Sequence, residues 1–392
     1  MARFEKGSEV VETTYASARY ANEMQKLLRS GWTRVADLRC EVPLGGEPIN
    51  ATLEEALRAD PTDIGAPLVY ADWLQQQGHP RGALISVQHQ LATKPHDKGL
   101  IEAEREIIEE AADALIAKPL LAHFALLRGK HEIALSKNLY DGGTVTFDHG
   151  FIREALVRLT QRGVDEDLFW ELLRHPSARV LARLGVSVES RQRDASLVAA
   201  LVTDGPRPPL RSLSVRINDH RAPIDLSGLD TAYPLLQELE LVIHHVRFRD
   251  LELPHLRRLC IRSEVGDIGV VLASRTWSEL EVLSVPGDPD TLAVAFERPS
   301  FPKLRTLELG TTERGIELCR MLVRSPDAKH LEVLELPAVK LAQEAVTMLV
   351  ENRAKFSALV MLRIDGVRAN ELERLRAAGY PVQTSPPKNG SK

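Results

Sequence analysis

Leu304-Arg305-Thr306-Leu307-Glu308-Leu309 is one statement of a pattern, LxxLxL with an aliphatic last position, that organises the C-terminal half of the chain. It returns as Leu210–Leu213–Val215, Leu236–Leu239–Leu241, Leu256–Leu259–Ile261, Leu280–Leu283–Val285, Leu331–Leu334–Leu336 and Leu359–Leu362–Ile364. A weaker copy lies at Leu181–Leu184–Val186, and Phe151 to Val157 reads as a capping strand before it. Successive starts of the seven clear copies lie 20 to 28 residues apart. The last two apolar positions of each copy are two apart, the period of a strand with one buried face. Between copies the period changes. In 194–203, 268–274, 316–324 and 342–352 apolar residues fall three and four apart, which predicts helices. A strand, a turn and a helix of this length cannot shelter the strand's inner face alone. Consecutive units must therefore stack into a parallel sheet with helices on the convex side.

Over roughly residues 150–380 the chain resembles the leucine-rich repeat family. The asparagine that usually follows the last strand leucine is absent and the loops vary in length, so the resemblance is to an irregular member. The expected class is α/β: a small N-terminal helical module, then an irregular solenoid of parallel strands.

Upstream, residues 50–128 show no strand alternation. Thr52 precedes Leu53-Glu54-Glu55, whose carboxylates favour a helix N-terminus, and Pro61 closes that helix. Further helices are expected near 66–77, 81–91, 100–116 and 120–127. Together they form a compact helical module. Leu68-Val69-Tyr70-Ala71-Asp72-Trp73-Leu74, followed by Gly78-His79-Pro80-Arg81-Gly82 and by Ile85 and Gln88, is similar to the repeat-companion domain, a bacterial module found beside leucine-rich and other repeats. The likeness covers about forty residues, with Tyr70, Asp72, Trp73, Arg81 and Gly82 as its structural motif. It departs from the family at Gln75–Gln77 and Ala83, where acids are usual, and it implies architecture rather than chemistry.

Residues 1–48 form a third piece, with a helix expected over 17–28 and a strand over 33–42. Leu27, Leu28, Gly31 and Trp32 resemble the end of a WGR-type domain, without the WGR signature itself. The expected division is thus 1–48, 49–130 and 131–381, with 382–392 too polar and broken to pack.

Of 392 residues, 44% are hydrophobic and 27% charged, which excludes a disordered or collagenous chain. Fifty basic against fifty-five acidic side chains give a net charge of −5, so no global drive toward nucleic acid or anionic lipid exists. Cys40, Cys260 and Cys319 are far apart and form no CxxC, arguing for a reducing compartment and against a cysteine zinc site. With no run of eighteen apolar residues, a cytoplasmic protein is expected. No phosphate-binding loop, nucleophile elbow or HExxH occurs, so neither catalysis nor a cofactor is expected. No metal site is expected either. The adjacent His244 and His245 would point to opposite faces of a strand, while His79, His89 and His96 read as solvated helix ends. Trp73 is expected in the core of the helical module, with Asp72 capping a backbone group or pairing with Arg81.

In each LxxLxL strand the residues between and beside the inner leucines face the concave side. The central positions are Ser214, Glu240, Cys260, Ser284, Glu308, Glu335 and Arg363, flanked by Glu238, Arg258, Arg262, Thr306, Val333 and Met361. Glu238, Glu240, Arg258, Arg262, Glu308, Glu335 and Arg363 make this surface zoned in charge, which suits a protein ligand better than a polyanion. The expected function is a non-catalytic scaffold or adaptor that binds a protein on that face. One alternative is nucleic-acid association through Arg19, Lys26, Arg29 and Arg34, and the other is an enzyme acting around Asp72. Mutual pairing of the concave charges across strands is the bland competitor.

Overall fold

The computed structural model describes residues 2–6, 9–13, 30, 33–37, 48–59, 63, 65–128, 131–132, 142–159, 166–188, 194–203, 207–217, 224–243, 246–247, 251–262, 268–310, 312–337, 339, 341–365 and 367–384. The chain divides into two compact units, Met1–Glu189 and Ser190–Lys392, a division later in sequence than the 130/131 boundary expected from the change of periodicity.

In the first unit, strands β1 (Ala2–Lys6), β2 (Glu9–Thr13) and β3 (Thr33–Asp37) form an antiparallel sheet ordered β2-β1-β3. β3 is the start of the strand expected over 33–42, whereas the helix expected over 17–28 lies outside the described residues. Helices Ala51–Ala59, Gly65–Gln76, Pro80–Thr93 and Lys98–Glu110 follow, with short turns Ala112–Leu115 and Lys118–Leu121. The first helix begins one residue before Thr52 and is capped by Asn50, whose side chain accepts from the Leu53 N–H at 3.2 Å, so the capping role read for Thr52 belongs to Asn50. The helix expected over 120–127 is in fact a short helical turn followed by β4 (Ala125–Arg128). Phe124, Ala125 and Leu126 are buried in an extended segment that a helical pattern cannot distinguish over so few residues.

β4 pairs with β5 (His131–Glu132) and with β6 (Gly143–Asp148), β6 forms an antiparallel hairpin with β7 (Phe151–Leu159), and β7 runs parallel to β8 (Arg183–Val188). The capping strand and the weak repeat copy are therefore real strands, side by side. Helix Glu166–Arg174 lies between them in sequence and buries Leu168, Phe169, Leu172 and Leu173.

The second unit is the repeat array. β9 (Ser212–Ile217), β11 (Glu238–Val242), β13 (Arg258–Ile261), β14 (Val282–Val285), β15 (Thr306–Leu309), β16 (Val333–Leu336), β17 (Met361–Ile364) and β18 (Val382–Gln383) are hydrogen-bonded neighbours in that order, all parallel. The register puts like on like: Leu213, Leu239, Leu259, Leu283, Leu307, Leu334 and Leu362 form one continuous ladder. All seven are buried. Helices Asp194–Thr203, Ile268–Ala273, Pro289–Phe296, Gly315–Arg324, Gln343–Glu351 and Ala369–Ala377 alternate with the strands. Between β9 and β11 the chain forms β10 (Ile224–Asp225) and a short helix, Leu229–Ala232, and between β11 and β13 it forms β12 (Val246–Arg247), which pairs in parallel with β10. β18 takes Val382 and Gln383 out of the expected polar tail and onto the sheet.

Two recurring details couple the repeats. The carbonyls of Arg211, Gln237, Arg257, Glu281, Arg305 and Glu332 each accept two successive N–H groups from the next repeat, at 2.8–3.0 Å. In the six copies from Leu236 onward, a buried apolar residue stands three places before the first leucine, Tyr233, Leu253, Trp277, Phe301, Ala328 and Phe356 in turn, and its carbonyl accepts the N–H of that leucine. A fully buried leucine contributes about 1.5–3 kcal/mol, against about 1 kcal/mol or less for an exposed ion pair. The apolar ladders, not the charges on the surface, therefore hold the array together.

Candidate functional site

The outward face of the repeat sheet carries the charged residues singled out from sequence, and the register lines them up. Ser214, Glu240, Cys260, Ser284, Glu308, Glu335 and Arg363 are consecutive cross-strand neighbours in one row. Glu238 and Arg258 lie opposite each other in the row beside it, both exposed. The alternation of strand side chains brings all seven predicted residues to one face.

Their environments differ. The Ser214 hydroxyl donates to Glu240 Oε2 at 2.9 Å, and the Ser284 hydroxyl to Glu308 Oε2 at 2.8 Å. Arg363 Nη1 pairs with Glu335 Oε2 at 2.8 Å, across one repeat boundary. Arg262 is exposed at the end of β13. The Cys260 sulfur first, then Glu308, a hydrogen bond to that sulfur, and Glu240 raise its guanidinium pKa above the usual value against a smaller effect of burial. Cys260 and Ser284, counted with the concave positions, are buried rather than displayed. Glu308 and Glu335 are direct neighbours in register, two half-buried carboxylates side by side.

Cross-strand pairing is thus real at Glu335–Arg363. With side chains 20% and 42% exposed, it is worth little. A double-mutant cycle on Glu335→Gln and Arg363→Gln is expected to give a coupling below about 1 kcal/mol that shrinks further in molar salt, read by urea denaturation. A larger, salt-insensitive coupling would make the pair structural rather than available to a ligand.

A cleft of about 280 Å³ is lined by Glu281, Pro302, Lys303, Arg305, His330, Glu332 and Ala358. Its charges are committed to inter-repeat pairs: Lys303 with Glu279 at 2.7 Å, Arg257 with Glu281 at 2.6 Å, and Arg305 with Glu332. No group of three potential metal ligands occurs among the described residues, and His244 and His245 lie outside them. Among the described residues no helix is long and apolar enough to cross a membrane. Burial pushes the Cys319 thiol up to about 12, leaving it protonated and unreactive.

The structural motif of the helical module works through different contacts from those its sequence suggests. Tyr70 is fully buried and donates to Glu54 Oε1 at 3.3 Å; the same carboxylate pairs with Arg179 at 2.6 Å and Arg58 at 3.1 Å. Trp73 is only half-buried, tilted against Tyr70 at 5.6 Å, so the interior position expected for it is taken by Tyr70. Asp72 points to solvent and makes no ion pair with Arg81. Arg81 instead turns inward, fully buried, donating to the Gly150 carbonyl with its guanidinium 4.8 Å from the Phe151 ring centre. Gln88 Oε1 accepts the Gly150 N–H at 2.7 Å, Gln88 Nε2 donates to Glu104 at 2.9 Å, and Glu104 pairs with Arg128 at 2.9 Å. Gly82 lets two helices touch: a Cβ there would stand 2.7 Å from the Ala71 carbonyl oxygen and 2.8 Å from the Gln75 nitrogen. The motif is a device for seating helices on the β6–β7 hairpin. Sequence reasoning missed Glu54, Glu104 and Gly150, which carry no local signal of burial.

No family model matches the chain, and no curated protein matches it. Among solved structures it is similar to the crystal structure of a Bacteroides fragilis protein determined as a structural-genomics target, at 16% identity over 73% of this chain and 82% of that one, with a TM-score of 0.47.

Proposed function

We propose that this protein is a non-catalytic scaffold or adaptor that binds a protein partner on the outward face of the repeat sheet. The observation that carries this reading is the placement of Glu308 beside Glu335. Like charges directly opposite on adjacent strands destabilise a sheet, and Glu308 and Glu335 stand directly opposite each other in register. A partner presenting basic groups to these carboxylates, and an acidic group to Arg258, turns that cost into recognition. The resemblance to the repeat-companion domain and to leucine-rich repeats agrees with a binding role, since an array of parallel strands offers a long, regular surface. The residues assigned to the contact are Glu238, Glu240, Arg258, Arg262, Glu308, Glu335 and Arg363.

The test is quantitative affinity purification of the full chain against the double variant Glu240→Lys plus Glu308→Lys, followed by titration with the purified partner. The double reversal is expected to weaken binding of that partner at least tenfold while leaving the circular dichroism unchanged. An unchanged partner set and affinity would remove the outward face from the reading. Retention abolished by nuclease would replace a protein ligand with a nucleic acid.

A further inference from the structure

The outward face of the repeat sheet changes character after β13. Up to there it carries Arg216, Glu238, Glu240, Arg258 and Arg262. Over β14, β15 and β16 the charges among the described outward positions are Glu308 and Glu335 alone. Beside these two carboxylates the register sets an uncharged row on four consecutive strands, Val282, Thr306, Val333 and Met361, each half-buried. Pro286, Gly310 and Pro337, which follow the three strands, are half-buried and uncharged as well. Glu308 accepts from the Ser284 hydroxyl at 2.8 Å and makes no ion pair among the described residues. Arg262, two strands back, acts on it through its charge alone. Glu335 has one oxygen paired with Arg363. This part of the face is thus an apolar strip with an adjacent pair of carboxylates that the repeats themselves leave short of cations.

We propose that the strip on β14–β17 receives an amphipathic α-helix of a protein partner, laid along Val282, Thr306, Val333 and Met361, with a lysine or arginine beside its apolar stripe to meet Glu308 and Glu335. The inference rests on the binding role proposed above and gives the partner a definite form. Strands in a sheet stand about 4.8 Å apart, so four of them set the row at roughly 14 Å. A helix rises about 5.4 Å per turn, so its side chains at i, i+4, i+7 and i+11 span roughly 16 Å and fall one to a strand. An extended segment puts residues of one side about 6.8 Å apart, spans roughly 20 Å with four of them, and is out of step by the third strand. The backbone gives the same answer. Within a sheet the N–H and C=O groups are spent on neighbouring strands, so its face offers none to an extended chain, whereas a helix pairs its own. The charge follows from the carboxylates: a long cationic side chain lays its methylenes over the apolar row and carries its charge to them.

The test is selection by the immobilised full chain from a displayed library of helical peptides of about five turns, with leucine once per turn and random residues elsewhere. Lysine and arginine are expected to be enriched at least tenfold over aspartate and glutamate at the positions flanking the leucines. A selected peptide, synthesised with a fluorophore, should bind saturably by anisotropy and gain helical circular dichroism. Glu308→Gln plus Glu335→Gln should weaken it at least tenfold, as should Val333→Ser plus Met361→Ser. Val294→Ser, at a half-exposed valine of the helix Pro289–Phe296, should change it less than twofold. No enrichment over blank resin, enrichment of acids, or affinity kept by the double glutamine variant would overturn the proposal. So would uptake that appears only when the chain is ended at Thr384, which would give the strip to residues 385–392 with Lys388 and Lys392. Should the peptides fail while the purified partner still responds to Glu240→Lys plus Glu308→Lys, the face binds something other than a helix; failure of both removes the face itself.

Discussion

Replacing Arg81 by methionine is expected to destabilise the N-terminal unit by about 3–5 kcal/mol, seen as a fall in the urea midpoint at unchanged slope. Methionine keeps most of the aliphatic stem, so packing beside the Phe151 ring survives in large part. The loss comes from the other end of the side chain. The Gly150 carbonyl, buried beneath the helices, loses its donor, and a group left in that state costs far more than the net value of the bond it made. The damage spreads, because the same peptide is held on its N–H side by Gln88, and Gln88 in turn by Glu104 and Arg128. Hydrogen-bonded networks of this kind lose more than the sum of their parts when one member is removed. Asp72→Asn is the control. Its carboxylate is exposed, so the variant should stay within about 0.5 kcal/mol of wild type. Equal effects of the two substitutions, or a small effect of Arg81→Met, would mean that the guanidinium is not what seats the helices on the hairpin.

The contrast between Arg81 and Leu239 shows what the sequence could and could not reveal. Leu239, Leu259 and Leu283 announce themselves by repetition: each is the same residue at the same phase of a regular spacing, and only stacking in register can bury them all. The strands, their order and the face carrying Glu240 and Glu308 were legible for that reason. The aromatic residues at Tyr233, Trp277, Phe301 and Phe356 belong to the same repeat, but they vary in identity and sit outside LxxLxL, so the pattern was read one position too short. Arg81 and Asp72 have no such periodicity. Their partners are set by tertiary placement, and a guanidinium facing a carbonyl sixty-nine residues away cannot be inferred from a carboxylate nine residues away. His89 looks solvated on a helical wheel for the same reason, and only in the fold does the His149 ring at the hairpin tip come within 6.1 Å of it and leave it half-buried.

Gly269→Ala should be the most damaging single methyl group that can be added to the repeat array, costing about 3 kcal/mol or more. A Cβ at this position would stand 1.4 Å from the Thr291 carbonyl oxygen, 2.3 Å from its carbonyl carbon and 3.1 Å from its Cα. Those atoms are backbone of the next repeat's helix, Pro289–Phe296, so no rotamer change relieves the clash. The two helices must part, yet the strands beneath them are tied by the hydrogen bonds of Glu281 and Val282 to the Arg257 carbonyl at 2.8 and 3.0 Å. Either the helices tilt away from Leu272 and Leu292, both fully buried, or the β13–β14 pairing stretches. In a repeat array stability is a sum of unit and nearest-neighbour contributions, so the loss should stay at this one interface. Amide hydrogen exchange reads it directly: Glu281 and Val282 should exchange at least a hundredfold faster, while Val333 and Met361, two and three repeats further on, keep their protection. Val270→Ala, on the same helix but 70% exposed, should change neither set. Uniform loss of protection along the whole array would mean that the repeats unfold as one body, and would remove the nearest-neighbour description that the leucine register supports.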